Sequence, residues 1–414
     1  MALQPPLPPL HGLAAANRYR ERIESDLLNN ILPFWLKHAP DGTGRGVVGV
    51  LGPTLIPQPG SPRGALLTSR ILWTFASAFR RYRNTEYLRM ADFAYADLLH
   101  TFHDRIHGGF FWSVQADGSV LHDRKQIYGQ AFAVYSLSEY HAASGRSEPL
   151  DLAVDVYRLI EDKARDRVHG GYFEARGRAW EPIADMRLSN GDMNVPKSQN
   201  THLHVMEAFA TLLRVWPDRD LQRSQADLLL VMLDRILDAS TGHLGLFFTE
   251  DWKPRSDRIS YGHDIEAAWL LVQAAEGIGD EALLKRIQTT AVQIAGVTLA
   301  EGVDTDGGLY NQGSPNGLTD TSKDWWPQAE AVIGFLNAYE ISREERFLNA
   351  AYRSWDFIEA HLIDREHGEW FRAVDRSGQP VGDQNKISFW KCPYHNGRTA
   401  IEACTRLRKL APSA

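Results

Sequence analysis

Asp104-Arg-Ile-His-Gly-Gly109 and Asp166-Arg-Val-His-Gly-Gly171 are two copies of one turn. Looser versions recur as Asp41-Gly-Thr-Gly-Arg-Gly46, Ser240-Thr-Gly-His-Leu-Gly245, Asp304-Thr-Asp-Gly-Gly308 and Asp364-Arg-Glu-His-Gly368. Successive copies start 60 to 74 residues apart, and self-similarity at such a period marks a chain assembled from one supersecondary unit. A run of β character follows each turn, as in Phe110-Phe111-Trp112-Ser113-Val114. Several units then add a second turn, Ala116-Asp117-Gly118-Ser119 or Asp375-Arg376-Ser377-Gly378.

Helical periodicity flanks every turn. The stretches before the turns, 18–37, 87–102, 150–164, 221–237, 282–299 and 345–362, place their apolar residues on one face. Those after the turns, 65–82, 127–140, 203–216, 265–275, 329–339 and 397–407, are apolar nearly all round. One-faced helices suit an outer layer and all-round apolar ones an inner layer. Six such pairs predict an all-α fold: an (α/α)6 barrel, or toroid, formed by residues 1–414 as one domain. Its short β-hairpins and loops gather at one mouth, with loose tails at about 1–15 and 411–414. An open helical solenoid is the alternative. The loop 167–199 is the longest, and its polar second half, 187–199, reads as a lid or substrate loop.

Composition narrows the function. The 414 residues are 43% hydrophobic and 23% charged, those of a soluble globular chain. A net charge of −7 offers no basic footprint for nucleic acid, and no apolar run reaches membrane-spanning length. The two cysteines, Cys392 and Cys404, exclude a disulfide framework and point to a reducing compartment. The N-terminal order of prolines followed by Arg18, Arg20 and Arg22 is not that of a signal peptide, so the expected location is the cytoplasm. Twelve Trp, 14 Tyr and 17 Phe provide flat rings for stacking on sugars or for ordinary packing.

If the inner helices all start at one mouth, their first turns line one cavity. Those turns carry Arg70, Tyr128, Asn200 with His202 and His204, His263 with Glu266, Trp325-Trp326, and Trp390 with His395. Each has a plain structural reading. Arg70 can pair with a loop carboxylate, Tyr128 can pack with its hydroxyl bonded, and Glu266 can reach back as a helix cap. His202 and His204, two apart on a helix, cannot both face inward. No Cys or His set with ligand spacing calls for a metal. Together, imidazoles, an Arg and Trp rings suit proton abstraction beside a sugar carbonyl. In an open-chain aldose the C2 hydrogen lies next to the C1 aldehyde, and neutral imidazoles can remove and return it. His263 and His395 are the expected pair, with Arg70 and His204 holding the oxyanion.

The motifs Arg63-Gly-Ala65, Asn200-Thr-His-Leu-His204, Gly262-His-Asp-Ile-Glu266, Trp325-Trp-Pro-Gln-Ala-Glu330 and Trp390-Lys-Cys-Pro-Tyr-His-Asn-Gly-Arg398 together resemble the N-acylglucosamine 2-epimerase superfamily, nearly end to end, and within it the cellobiose 2-epimerases. The resemblance implies an (α/α)6 barrel working without cofactor or metal. It implies epimerisation at C2 of the reducing-end glucose of β-1,4-linked disaccharides such as cellobiose and lactose. It assigns His263 and His395 as acid/base pair, His204, Arg70 and Glu266 as further catalytic positions, and Trp326 and Trp390 as sugar-binding. Tyr128, Asp192 and Asn200 contact or orient the substrate. Asp264 and Gln328 look more like the disaccharide branch, and the loop 186–196 is the part that bears on substrate preference. The expected partner is a small-molecule disaccharide, bound by a monomer or weak homo-oligomer. Rival readings are a monosaccharide epimerase or aldose–ketose isomerase of the same superfamily, an inverting glycoside hydrolase using Glu266 and Asp192, and a binding module without chemistry.

Overall fold

The periodic stretches fold into twelve helices, seen in a computed structural model that describes residues 15–42, 44 and 46–410. The outer helices are α1 (Ala16–Asp26, continued by Leu27–Ile31 and Leu32–His38), α3 (Thr85–Asp97), α5 (Glu148–Leu159), α7 (Arg219–Val231), α9 (Glu281–Glu301) and α11 (Glu345–Phe357). The inner ones are α2 (Ala65–Tyr82), α4 (Ile127–Ser144), α6 (Gln199–Val215), α8 (Tyr261–Glu276), α10 (Trp325–Ser342) and α12 (Tyr394–Leu410). Four outer helices end in a π turn, at Leu98–Phe102, Ile160–Ala164, Met232–Ile236 and Ile358–Leu362. Its wider winding keeps both its first and its last residue in the core.

The inner stretches are apolar all round because they are covered all round. In α4 every residue from Ile127 to Tyr140 is buried. Each inner helix packs on the next, α2 on α4, then α6, α8, α10 and α12, and α12 returns to α2. The ring is therefore closed, an (α/α)6 barrel rather than a solenoid. The tails expected at the ends lie outside the described residues apart from Ala15, which is buried against the core. Among the described residues no helix is long and apolar enough to cross a membrane.

The β segments differ from the expectation in their partners. Hairpins within one unit do form, as at 113–114 with 120–122. The more regular ladders, however, join neighbouring units. The two residues before an inner helix pair with the run after the next turn: 63–64 with 113–114, 125–126 with 175–176, 197–198 with 247–248, 259–260 with 312–313, and 323–324 with 373–374. A bridge between Leu51 and Ile387 links the last unit to the first. The mouth of the barrel is thus laced around its rim.

Two buried devices fix most of the turns beneath that rim. In four units the turn's aspartate accepts from a buried lysine that stands just ahead of the next inner helix or its lead-in loop: Lys125 to Asp104 (2.8 Å), Lys197 to Asp166 (2.6 Å), Lys323 to Asp304 (3.0 Å) and Lys386 to Asp364 (2.6 Å). A polar residue on the inner helix then clasps the turn's exit. Gln130 accepts from Phe110 N and donates to Phe110 O, both at 2.8 Å, and Gln328 does the same to Leu309. His202 Nε2 accepts from Tyr172 N at 2.9 Å, and Asp264 accepts from Leu244 N at 2.9 Å. This close approach explains the doubled glycine of the repeat. Gly109 and Gly171 have φ of +68° and +75°, and a Cβ there would lie 2.7 Å from the Gln130 amide oxygen and 2.5 Å from His202 Nε2.

Candidate active site

The clasp residues set a register for the six inner helices. Thr68, Gln130, His202, Asp264, Gln328 and Asn396 all turn outward, mostly to the turn backbone but in Thr68 to Asp97 at the end of α3 and in Asn396 to the Glu369 carboxylate. One residue earlier, equivalent positions of α8 and α12 carry His263 and His395. Two residues earlier stand Tyr128, Asn200 and Trp326. Two residues later comes a layer of Arg70, Phe132, His204, Glu266, Glu330 and Arg398, every one buried. Five polar or charged side chains at the same depth of a closed barrel are costly to bury unless partnered or used.

All ten residues expected at the site line one cavity: Arg70, Tyr128, Asp192, Asn200, His204, His263, Glu266, Trp326, Trp390 and His395. Leu188, Ser189 and Asp192 bring the loop 186–196 to its wall, and Asp192 accepts from Ser189 Oγ at 2.6 Å. His202 is excluded, as the two-residue spacing required. Its ring nitrogens are committed to Ser198 O and Tyr172 N. Asp264 and Gln328 face the turns and do not line the cavity.

Arg70 does not take the structural reading. Its guanidinium is buried, and among the described residues it forms no ion pair. Nη2 donates to the Tyr128 hydroxyl at 2.7 Å and Nη1 to Cys392 Sγ at 3.7 Å, while the group lies 4.4 Å from the Phe132 ring centroid. A buried cation with neutral partners at a cavity wall is a receptor for negative charge.

The histidines are held by different means. His395 Nδ1 lies 2.7 Å from Glu330, whose other oxygen accepts from Trp269 Nε1 at 2.9 Å. His204 Nδ1 lies 2.9 Å from Glu207. His263 Nδ1 meets the Ser260 hydroxyl at 2.8 Å, so the Glu266 cap reading fails. Glu266 instead accepts from Arg398 Nη2 at 2.7 Å. Burial holds all three imidazoles below the ordinary histidine range. His263 drops to about 3, with the Arg258 charge adding to the burial. They are neutral near pH 7. The rings of His263 and His395 lie 4.8 Å and 5.5 Å from the Trp326 ring, so one aromatic plate stands beside both. Burial raises Glu266 and Glu330 above the usual carboxylate range, and the charge of Glu330 raises Glu266 further.

Glu207, Glu330 and Arg398 were not among the expected site residues. Arg398 Nη2 donates at 2.7 Å to both Glu266 and Glu330, and Nη1 donates to Glu207 and to the Tyr394 hydroxyl. Glu207 had a readable signal, since His204-Val-Met-Glu207 repeats the His-x-x-Glu spacing of His263 to Glu266. Only the first pair bonds internally. Ligand atoms of Glu266, Glu330 and His395 cluster within 4.8 Å of one another. The Arg398 guanidinium, bonded to both carboxylates, supplies the positive charge there. Asp324 and Arg372 also line the cavity beside Trp325 and Trp390.

The family model for N-acylglucosamine 2-epimerase (GlcNAc 2-epimerase) matches residues 54–395. The chain belongs to the N-acylglucosamine 2-epimerase family. Its members include a cellobiose 2-epimerase of Bacteroides fragilis, 41% identical over 92% of this chain and 98% of the relative. Another, from Dictyoglomus turgidum, is 38% identical over 94% and 98%. The solved structure of cellobiose 2-epimerase from Spirochaeta thermophila DSM 6192 superposes with a TM-score of 0.89 at 41% identity, covering 95% of this chain and 98% of the other.

Proposed function

We propose that the protein is a cellobiose 2-epimerase. It interconverts glucose and mannose at the reducing end of β-1,4-linked disaccharides, cellobiose and lactose among them. The observation that carries this reading is the arrangement of neutral imidazoles, His263 and His395, with the unpaired Arg70 around one cavity. It is supported by the full-length similarity to cellobiose 2-epimerases.

The chemistry follows from elementary steps. Ring opening exposes the C1 aldehyde and makes the C2 hydrogen acidic. One imidazole removes that proton, the electron pair moves into the C1–C2 bond, and O1 gains negative charge opposite Arg70. The resulting cis-enediolate receives a proton on its other face, which inverts C2. Trp326 and Trp390 stack on sugar rings, and Tyr128, Asn200 and Asp192 meet hydroxyls. Glu330 behind His395 makes that ring's cavity nitrogen a proton acceptor, and the serine behind His263 leaves its ring free to carry the proton either way. The side chains present supply acid, base and positive charge, so the reaction runs without metal or cofactor. Cys392 and Cys404 are free and buried, which fits a reducing compartment, and we place the enzyme in the cytoplasm.

Proton NMR of cellobiose incubated with the enzyme tests the assignment. The expected product is glucosyl-mannose, formed equally with and without a chelator. Free glucose would favour a hydrolase. Epimerised or isomerised monosaccharides with untouched cellobiose would favour the sibling activities. The lowered imidazoles also set the pH profile. A base with an ordinary histidine pKa of about 6.5 loses roughly fourfold in rate at pH 6 relative to full deprotonation. With His263 at about 3 and His395 lowered by burial, the free-enzyme kcat/KM is expected to stay level between pH 7.5 and 6. A decline centred near 6.5 would contradict the buried, neutral pair.

A further inference from the structure

The carboxylate behind His204 decides what that imidazole can offer a substrate. Glu207 is fully engaged. One oxygen accepts from the Tyr394 hydroxyl at 2.6 Å and from Arg398 Nη1, and the other faces His204 Nδ1 at 2.9 Å. The Tyr394 hydroxyl itself accepts from Arg398, so its hydrogen goes to Glu207. Burial alone would raise the carboxyl, but Arg398 and His204 hold it at about 2, so it is an acceptor only. His204 Nδ1 must then carry its hydrogen toward Glu207. A neutral imidazole with the proton on Nδ1 has a bare lone pair on Nε2. Its ring stands edge-on to Tyr128 and beside Phe132 at 5.0 Å and 4.8 Å, at the cavity wall.

We propose that Glu207 is a positioning residue that locks His204 in the Nδ1–H form, so that His204 accepts a hydrogen bond from a sugar hydroxyl through Nε2. This replaces the oxyanion role expected for His204, because a neutral ring in this form has no N–H to give. The oxyanion is left to Arg70. The same guanidinium that fixes Glu207 also bonds Glu330 behind His395, so Arg398 steadies two histidine–carboxylate pairs at once. The proposal rests on the epimerase reading for its kinetic half only.

Glu207→Gln tests it. The amide can keep its oxygen toward Tyr394 and Arg398, which turns its NH₂ onto His204 Nδ1 and forces the hydrogen to Nε2. Nitrogen-15 spectra of histidine-labelled protein at pH 7 distinguish the two forms. The parent should show the His204 signal, assigned by its loss from H204Q spectra and distinct from that of His395, protonated at Nδ1, and E207Q should show it protonated at Nε2. With the tautomer reversed, kcat should fall about ten- to a hundredfold with KM changed far less, and Glu207→Asp should recover part of the loss. A parent spectrum with His204 protonated at Nε2 would overturn the proposal even if E207Q failed to fold. So would an E207Q enzyme with parental kcat. A parent inactive on cellobiose would instead sink the functional assignment, with the tautomer still readable.

Discussion

Histidine 395 replaced by alanine should slow exchange of the sugar's C2 hydrogen by about 10²–10⁴-fold, the usual contribution of a positioned acid/base group. The loss should be chemical and not structural. Among the described residues the ring's hydrogen-bond partner is Glu330, which keeps donors from Arg398 and Trp269 once the imidazole is gone. No buried acceptor is stranded, and the vacated space adjoins a cavity that water can enter. The thermal midpoint should therefore stay near that of the parent. Proton NMR of cellobiose in heavy water reads the exchange, and calorimetry reads the fold. Exchange at the parental rate would remove His395 from the chemistry. A collapsed midpoint would assign it to the core.

Arginine 70 replaced by methionine is expected to move activity and stability in opposite directions. Methionine keeps most of the stem that packs at the Phe132 ring but removes a buried cation that has no carboxylate partner. Deleting an uncompensated buried charge relieves a desolvation cost of several kcal/mol, so R70M should unfold at the same or higher denaturant concentration than the parent. The developing charge on O1 then loses its receptor, at a cost of about 10²–10³ in kcat. An R70M enzyme that is destabilised and catalytically intact would return Arg70 to the structural role first open to it. Strained, charged sites that trade stability for rate are where this sign pattern arises.

Much of this was legible along the chain. The Asp-Arg-x-His-Gly-Gly turns gave the number of units, and the contrast between one-faced and all-round apolar helices gave the two layers. Alternation on a helix allowed only one of His202 and His204 to face inward, and the clasp on Tyr172 N shows which. Six inner and outer pairs pointed to a closed ring, with an open solenoid as the alternative; the packing of α12 on α2 decides between them, because closure depends on the accumulated rotation of six units and not on any local pattern. The rim ladders were misplaced for the same reason. Two-residue strands such as 197–198 carry no signal of their partner, which sits in the next unit. Arg398 escaped notice as a site residue because its meaning is relational. On α12 it is one more basic residue, and only closure sets it among Glu207, Glu266 and Glu330 from three other helices.

If two neutral imidazoles of one cavity exchange a proton at C2 of an opened sugar, the solvent must leave its mark on that carbon. The most direct test follows the parent enzyme converting cellobiose in D₂O, with the C2 position of the new reducing-end mannose read by proton NMR. Deuterium is expected at that carbon and at no other. A product that is epimerised yet still carries its original hydrogen at C2 would contradict it.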